Sequence, residues 1–248
     1  MKKILYILTL LISQTFWAQD VFDKGNEYYR EGDYEKAIEA YESILNDKKH
    51  SAALYFNLAN AYYKMDKVAL SIYYYEKALL LNPNNKDIKN NLKFAQNKTI
   101  DEIKEVPDVR FEKVLQNFTG ILTYNAWAKI SVGLAFLFFL LFLGYYFSDT
   151  TRAKRIFFVG MFIIPILIII SILSAWFEKE LYKTDRPAIV FAETVPVKSE
   201  PRENASESFV LHEGTKVFVL ESLDNWRKIQ LSDDTEGWLR AENIKELR

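Results

Sequence analysis

The chain has no cysteine. That excludes disulfides, thiolate nucleophiles, thiol-ligated metals and haem attachment through a Cys motif. It fits an exported chain that does not depend on oxidative folding. Histidine is nearly as scarce: His50 and His212 stand in unrelated segments, too few and too far apart for a metal site. Nor is there an excess of either charge. Thirty-two basic residues face 33 acidic ones, a net charge of −1, so no basic field invites nucleic acid. No flavin fingerprint occurs. Acidic residues are plentiful but fall on solvated helix faces and form no recognisable catalytic pair. We therefore expect no cofactor, no metal, no catalytic residues and no enzyme.

What is abundant is apolar sequence. Residues 126–147 and 156–177 are almost wholly apolar and contain no Asp, Glu or Arg; Lys129 is the one charge, near the start of the first run. A bilayer core of ~30 Å takes about 20 helical residues, so each run is long enough to span it. Trp127, Tyr145, Tyr146 and Trp176 stand near the ends, where interfacial aromatics gather. Pro165 falls inside the second run and should bend it. Between the runs, residues 148–155 carry Arg152, Lys154 and Arg155 against Asp149. So short a spacer forces a hairpin, and its basic residues predict a cytoplasmic loop with both flanks outside. The N-terminus agrees. Lys2 and Lys3 precede an apolar stretch, 4–12, and Ala18 suits the residue before a cut, which together read as a signal peptide over 1–18.

The first flank repeats. Residues 18–51 and 52–85 overlay without gaps at an offset of 34, pairing Gly25 with Ala59, Tyr28 with Tyr62, Ala37 with Ser71, Tyr41 with Tyr75 and Ile44 with Ala78. Small residues recur where two helices approach closely, and aromatics where a helix pair fills its own groove. This pattern, with Pro83 closing the second unit, resembles the tetratricopeptide repeat. Helices are predicted at about 20–31, 34–46, 52–65, 68–81 and 85–97, the last a polar capping helix with Ile88, Leu92 and Ala95 on its inner face. The module runs over 19–98.

In such repeats the concave face commonly holds an extended peptide. The resemblance points Asn26, Phe56, Asn57, Asn60 and Tyr63 towards that face as candidate peptide-binding residues. The alternative reading of Asn57 and Asn60 is that they are merely consensus residues of the fold. Asn26 and Asn57 match the asparagines of the carboxylate-clamp subtype. Phe22, Asp87 and Asn91 stand where its Lys or Arg residues would be, which argues against capture of a free C-terminus.

Residues 99–125 read as a linker followed by a helical spacing of Phe111, Val114, Leu115 and Phe118. That helix suits either the membrane interface or packing against the repeat cap. After the second apolar run the pattern shortens. Strands are predicted at 188–192, 195–198, 215–220, 226–231 and 236–239, separated by turn-rich pieces, which suggests a small barrel over 183–248. The stretch from Pro196 through Trp226 to Gly237-Trp238 resembles bacterial SH3-like domains, with Lys198 in place of the usual Arg. Trp226 and Trp238 either line an SH3-like groove or fill the core. Several domains of that kind bind wall peptides, so peptidoglycan is an alternative ligand.

The fold class expected is multi-domain: all-α tetratricopeptide helical repeats, a two-helix transmembrane hairpin and a small all-β SH3-like barrel. The whole arrangement resembles the BatE-type proteins of the Bacteroides aerotolerance (Bat) operons. The resemblance implies a bacterial inner-membrane scaffold with two spans and both soluble modules periplasmic. It also implies partners among other membrane proteins, von Willebrand factor A domain Bat proteins included, and a link to oxygen tolerance or envelope stress. The alternative is a cell-wall-binding anchor or sensor acting through the SH3-like domain.

Overall fold

The computed structural model describes residues 20–101 and 111–247, with side chains described from residue 114 onward in the second stretch. The expected signal peptide and the middle of the expected linker lie outside these residues. The described chain divides into two units: the repeats together with the C-terminal sheet, and residues 107–185.

In the first unit five helices follow the 34-residue period. They are α1 (20–31), α2 (Tyr34–Asn46), α3 (Ala52–Lys64), α4 (Val68–Leu81) and α5 (Lys86–Gln96). Three of the starts have a local cause. The side chains of Asp33, Ser51 and Asn85 accept from the backbone N–H of Lys36, Leu54 and Ile88, capping α2, α3 and α5. Asn82-Pro83 stops α4, because proline cannot continue a helix and restricts its predecessor.

The core explains the repeated small residues. A Cβ on Gly25 would lie 2.5 Å from the Tyr41 ring. Its counterpart Ala59 is fully buried, as are Ala37, Leu58, Ser71, Ile72 and Ala78. Ser71 Oγ donates to the Ala59 carbonyl at 3.0 Å, which satisfies a hydroxyl sealed in the helix pair. On α5, Ile88, Leu92 and Ala95 close the end of this core as the pattern predicts.

The C-terminal part is a seven-stranded antiparallel sheet. Its strands are β1 (Pro187–Val190), β2 (Thr194–Lys198), β3 (Glu207–His212), β4 (Lys216–Leu223), β5 (Trp226–Gln230), β6 (Glu236–Arg240) and β7 (Ile244–Glu246), in the order β3-β2-β6-β5-β4-β1-β7. Two strands exceed the expected five. β3 leaves only one residue fully buried, Leu211, so it lacks the alternation that marks a strand in sequence. β7 has three residues and follows a single 3-10 turn.

Sheet and repeats form one body. All four residues of β1 are buried. Ala188 and Val190 enter the sheet's own core, whereas Ile189 joins the repeat core, with Leu247 beside it. A strand covered on both faces reads as a continuous apolar run. Against α4, Tyr73 meets Phe191 edge-on at 5.8 Å, with Lys245 Nζ 4.6 Å from the Tyr73 ring centroid. Burial pushes the Tyr73 phenol up to about 12. Lys216 Nζ lies 2.8 Å from the carboxylate of Glu76, itself buried. Past α5, Asp101 accepts from the backbone N–H of His212 (2.7 Å), the hydroxyl of Thr215 (2.6 Å) and His212 Nδ1 (2.7 Å). Gly214 makes this approach possible: its φ is +87°, and a Cβ there would lie 2.7 Å from Thr99.

In the second unit, α6 (Phe111–Thr119) leads into α7 (Tyr124–Phe147) and α8 (Thr151–Thr184). The connection between α7 and α8 is shorter than expected, because Thr150 caps α8 by accepting from Ala153 N–H. Arg152, Lys154 and Arg155 therefore stand on the first turns of α8 rather than in a loop. The second expected span lies inside α8, which runs on past it through Glu178-Lys179-Glu180. Both helices are long and apolar enough to cross a membrane.

Their packing is the inverse of a soluble hairpin. A Cβ on Gly144 would lie 2.8 Å from the Phe157 ring, and one on Gly160 2.9 Å from Leu141. Ser171 and Ser174 are buried, with Ile164 the one large side chain among the buried residues of α8, while Phe136, Phe139, Phe162 and Ile169 are exposed. Small residues inside and large apolar ones outside is the arrangement expected of helices solvated by lipid.

Candidate functional site

The five peptide-site candidates lie in the repeats: Asn26 on α1, and Phe56, Asn57, Asn60 and Tyr63 on α3. All are half-buried. Three of them, Asn26, Asn57 and Asn60, are drawn into a polar ladder. Asn57 Nδ2 donates to Asn26 Oδ1 at 2.7 Å, and the Tyr41 hydroxyl donates to the same oxygen at 2.8 Å. One repeat on, Asn91 Nδ2 donates to Asn60 Oδ1 at 2.9 Å, and the Tyr75 hydroxyl donates to that oxygen at 2.5 Å. The two constellations are related residue by residue at an offset of 34: 26 to 60, 41 to 75, 57 to 91.

The chemistry follows from the valences. In each triad the upstream Oδ1 takes two donors, which fills a carbonyl oxygen and fixes which way its amide points. Asn26 and Asn60 are then left with Nδ2 donors, Asn57 and Asn91 with Oδ1 acceptors. Alternating donors and acceptors at repeat spacing match the N–H and C=O groups of an extended peptide backbone. The tyrosines are fixed hydrogen donors, because burial holds the Tyr41 phenol up at about 12 and the Tyr75 phenol higher still.

Phe56 lies 6.0 Å from the Tyr75 ring, an apolar wall beside the second triad. Tyr63 stands apart from the ladder; Lys98 sits over its ring at 4.4 Å and pairs with Asp66. Asn91 is the residue that sequence reasoning missed as a participant, and Tyr41 and Tyr75 the ones read as packing alone. The signal was available in the period: Asn91 is Asn57 moved by one repeat.

Trp226 and Trp238 share one face of the sheet, opposite the core. That core holds Val197, Val219, Ile229 and Leu239, and neither tryptophan belongs to it. Trp226 pairs in register with Arg240, and Trp238 with Lys228 on one side and Lys198 on the other. The Arg240 guanidinium covers the Trp226 ring at 4.4 Å, leaving it 8% exposed, while Trp238 is half-buried. Each cation has an acidic partner: Glu203 for Arg240, Glu236 for Lys228 and Glu207 for Lys198. Trp226 is thus buried beneath Arg240, and Trp238 lies half-buried between Lys198 and Lys228. No group of three or more His, Asp or Glu side chains arranged for a metal occurs among the described residues.

Comparison with known families agrees with this architecture. A TPR repeat profile matches residues 25–66 and a tetratricopeptide repeat profile residues 52–85. A bacterial SH3 domain profile matches residues 192–246. The chain thus carries tetratricopeptide repeats and a bacterial SH3 domain, both of which suggest protein or cell-wall binding. No curated protein matches the chain.

Proposed function

We propose that this protein is a membrane-anchored adaptor whose repeats hold an extended segment of a partner protein. The observation that carries this reading is the duplicated triad, Tyr41–Asn26–Asn57 and Tyr75–Asn60–Asn91, which leaves backbone-type donors and acceptors at repeat spacing. The outward apolar surface of α7 and α8 supports the anchor. The basic residues at the start of α8 favour a cytoplasmic bend and periplasmic modules in a bacterial inner membrane. With the resemblance to BatE-type proteins, the partners are other membrane proteins of a Bat-type complex, von Willebrand factor A domain members among them. Oxygen tolerance or envelope stress is then the process served. The protein binds and positions, and performs no catalysis of its own.

The test is recovery of partners from native membranes in mild detergent. Asn57→Ala with Asn60→Ala should weaken binding by about thirtyfold, since two backbone hydrogen bonds are lost at about 1 kcal/mol each, and lower recovery accordingly. The variant should remain folded but with a lowered thermal midpoint, because Asn60→Ala leaves the buried Tyr75 hydroxyl without its acceptor, so recovery is compared at a temperature where both chains are folded. Undiminished recovery would remove the groove from the account.

The Trp238 row favours a second reading, a wall anchor. The half-buried Trp238 ring, flanked by Lys198 and Lys228, offers a stacking surface to a wall peptide. Co-sedimentation of the detergent-solubilised chain with peptidoglycan, lost in Trp238→Ala, would support it. No pelleting at micromolar concentration would dismiss it.

A further inference from the structure

We infer that α6 is a lipid-facing foot lying in the headgroup layer, at the level where α7 enters the bilayer. The inference rests on reading α7 and α8 as membrane spans.

The helix is amphipathic in a particular way. Val114 and Phe118, four residues apart on one face, are 60% and 49% exposed. On the edge next to that face, beside the half-buried Leu115, Thr119 is buried and its hydroxyl donates to Glu178 of α8. Gln116 and Asn117 occupy the remaining arc. So one edge of α6 is fastened to the hairpin by a polar contact, while its apolar face looks away from the protein.

The fastening is redundant. Trp127 Nε1, one turn into α7, donates 2.8 Å to the Thr119 carbonyl, and its ring lies 5.9 Å from Phe118. Only residues 120–123 separate the two helices. The turn needs its glycine, because Gly120 N–H closes on the Gln116 carbonyl at 2.8 Å and a Cβ would lie 2.7 Å from that oxygen. At the same end of the hairpin, Tyr124 of α7 meets Tyr182 of α8 at 5.5 Å.

Tyr124, Trp127 and Tyr182 therefore gather where α6 is held. Aromatic side chains with one polar end mark the membrane–water boundary. The hydroxyl–carboxylate pair of Thr119 and Glu178 also fits that level, being polar yet shielded. A short helix pinned there with an outward apolar face has the boundary layer itself as its natural occupant, its face sunk about 5–10 Å into the headgroup region. A protein partner would instead need that face to stay in water until it arrived.

Because the chain lacks cysteine, single-cysteine variants carry a single spin label. Power saturation in nanodiscs with oxygen and a nickel chelate distinguishes lipid from water. Labels at Val114→Cys and Phe118→Cys should reach oxygen several-fold better than nickel, less so than labels at Phe139→Cys and Ile169→Cys in the hairpin. Asn117→Cys should favour nickel, as Asp233→Cys on the sheet does. If 114 and 118 behave like 233, or are shielded from both reagents as a protein-covered face would be, the inference is wrong although the hairpin stands. If 139 and 169 also favour nickel, the hairpin reading fails and takes the foot with it.

Discussion

A single oxygen atom organises each half of the ladder. Asn60 Oδ1 accepts from both Tyr75 and Asn91, so the Tyr75 hydroxyl sets the amide's orientation as well as filling the core. Tyr75→Phe keeps the packing and removes the donor. It should cost about 1 kcal/mol of stability and weaken partner binding less than Asn60→Ala does, which thermal denaturation and partner titration would measure. Asp101 is the corresponding residue at the junction of repeats and sheet. Burial alone would raise its carboxyl, but donors from Thr215 and His212 outweigh that and hold it below the ordinary Asp value. A depressed carboxylate stabilises the fold above its unfolded pKa, near 4, and that contribution vanishes as pH falls through the lower folded value. Asp101→Ala should therefore lower the thermal midpoint at pH 7, with the difference from wild type shrinking below about pH 4. An equal difference at every pH would contradict the carboxylate's role. None of this was legible locally. Asp101 and His212 are distant in sequence, and no period or spacing relates them. The triads were half legible, since repetition at 34 residues carries Asn57 onto Asn91 once the first triad is known.

Elements were read best where caps and period agree. α1 to α4 match the expected spans almost residue by residue, because Asp33, Ser51 and Pro83 mark their boundaries chemically. Boundaries differ from the expected ones where the marker is missing or misleading. A basic stretch suggested a loop up to residue 155, yet Thr150 caps α8 five residues earlier. Charged helix formers carry α8 on to Thr184, and Arg186-Pro187 is the first strong stop. β1 was recognisable only as an apolar run; its two-sided burial needs α4, which no local pattern supplies. The hairpin makes its own prediction at this scale. Gly160 abuts Leu141, whereas a Cβ on Gly133 would meet nothing within 4 Å. Gly160→Leu should destabilise the detergent-solubilised protein by about 1–3 kcal/mol through overpacking, and Gly133→Leu should leave it nearly unchanged. Equal effects on the thermal midpoint would show that the α7–α8 contact is not where the glycine matters.

For the whole molecule, the repeats and the sheet act as one body rather than two tethered modules. Ile189 and Leu247 complete the repeat core, and Glu76–Lys216 and Asp101–His212 clasp the edges of the contact. The sheet meets the repeats through α4 and the segment after α5, whereas the ladder amides are carried on α1, α3 and α5. A partner segment can thus be gripped without undoing the body that grips it.

The most direct measurement is photo-crosslinking in native membranes from a benzophenone side chain at Ala53, which is exposed on α3 one turn before Asn57. The account predicts discrete adducts with a membrane protein, mapping to one short segment of it. These adducts should be absent from a label at Glu39 on α2 and lost when Asn57, Asn60 and Asn91 are replaced by Ala. Identical adducts from both positions, or adducts indifferent to the three asparagines, would contradict it.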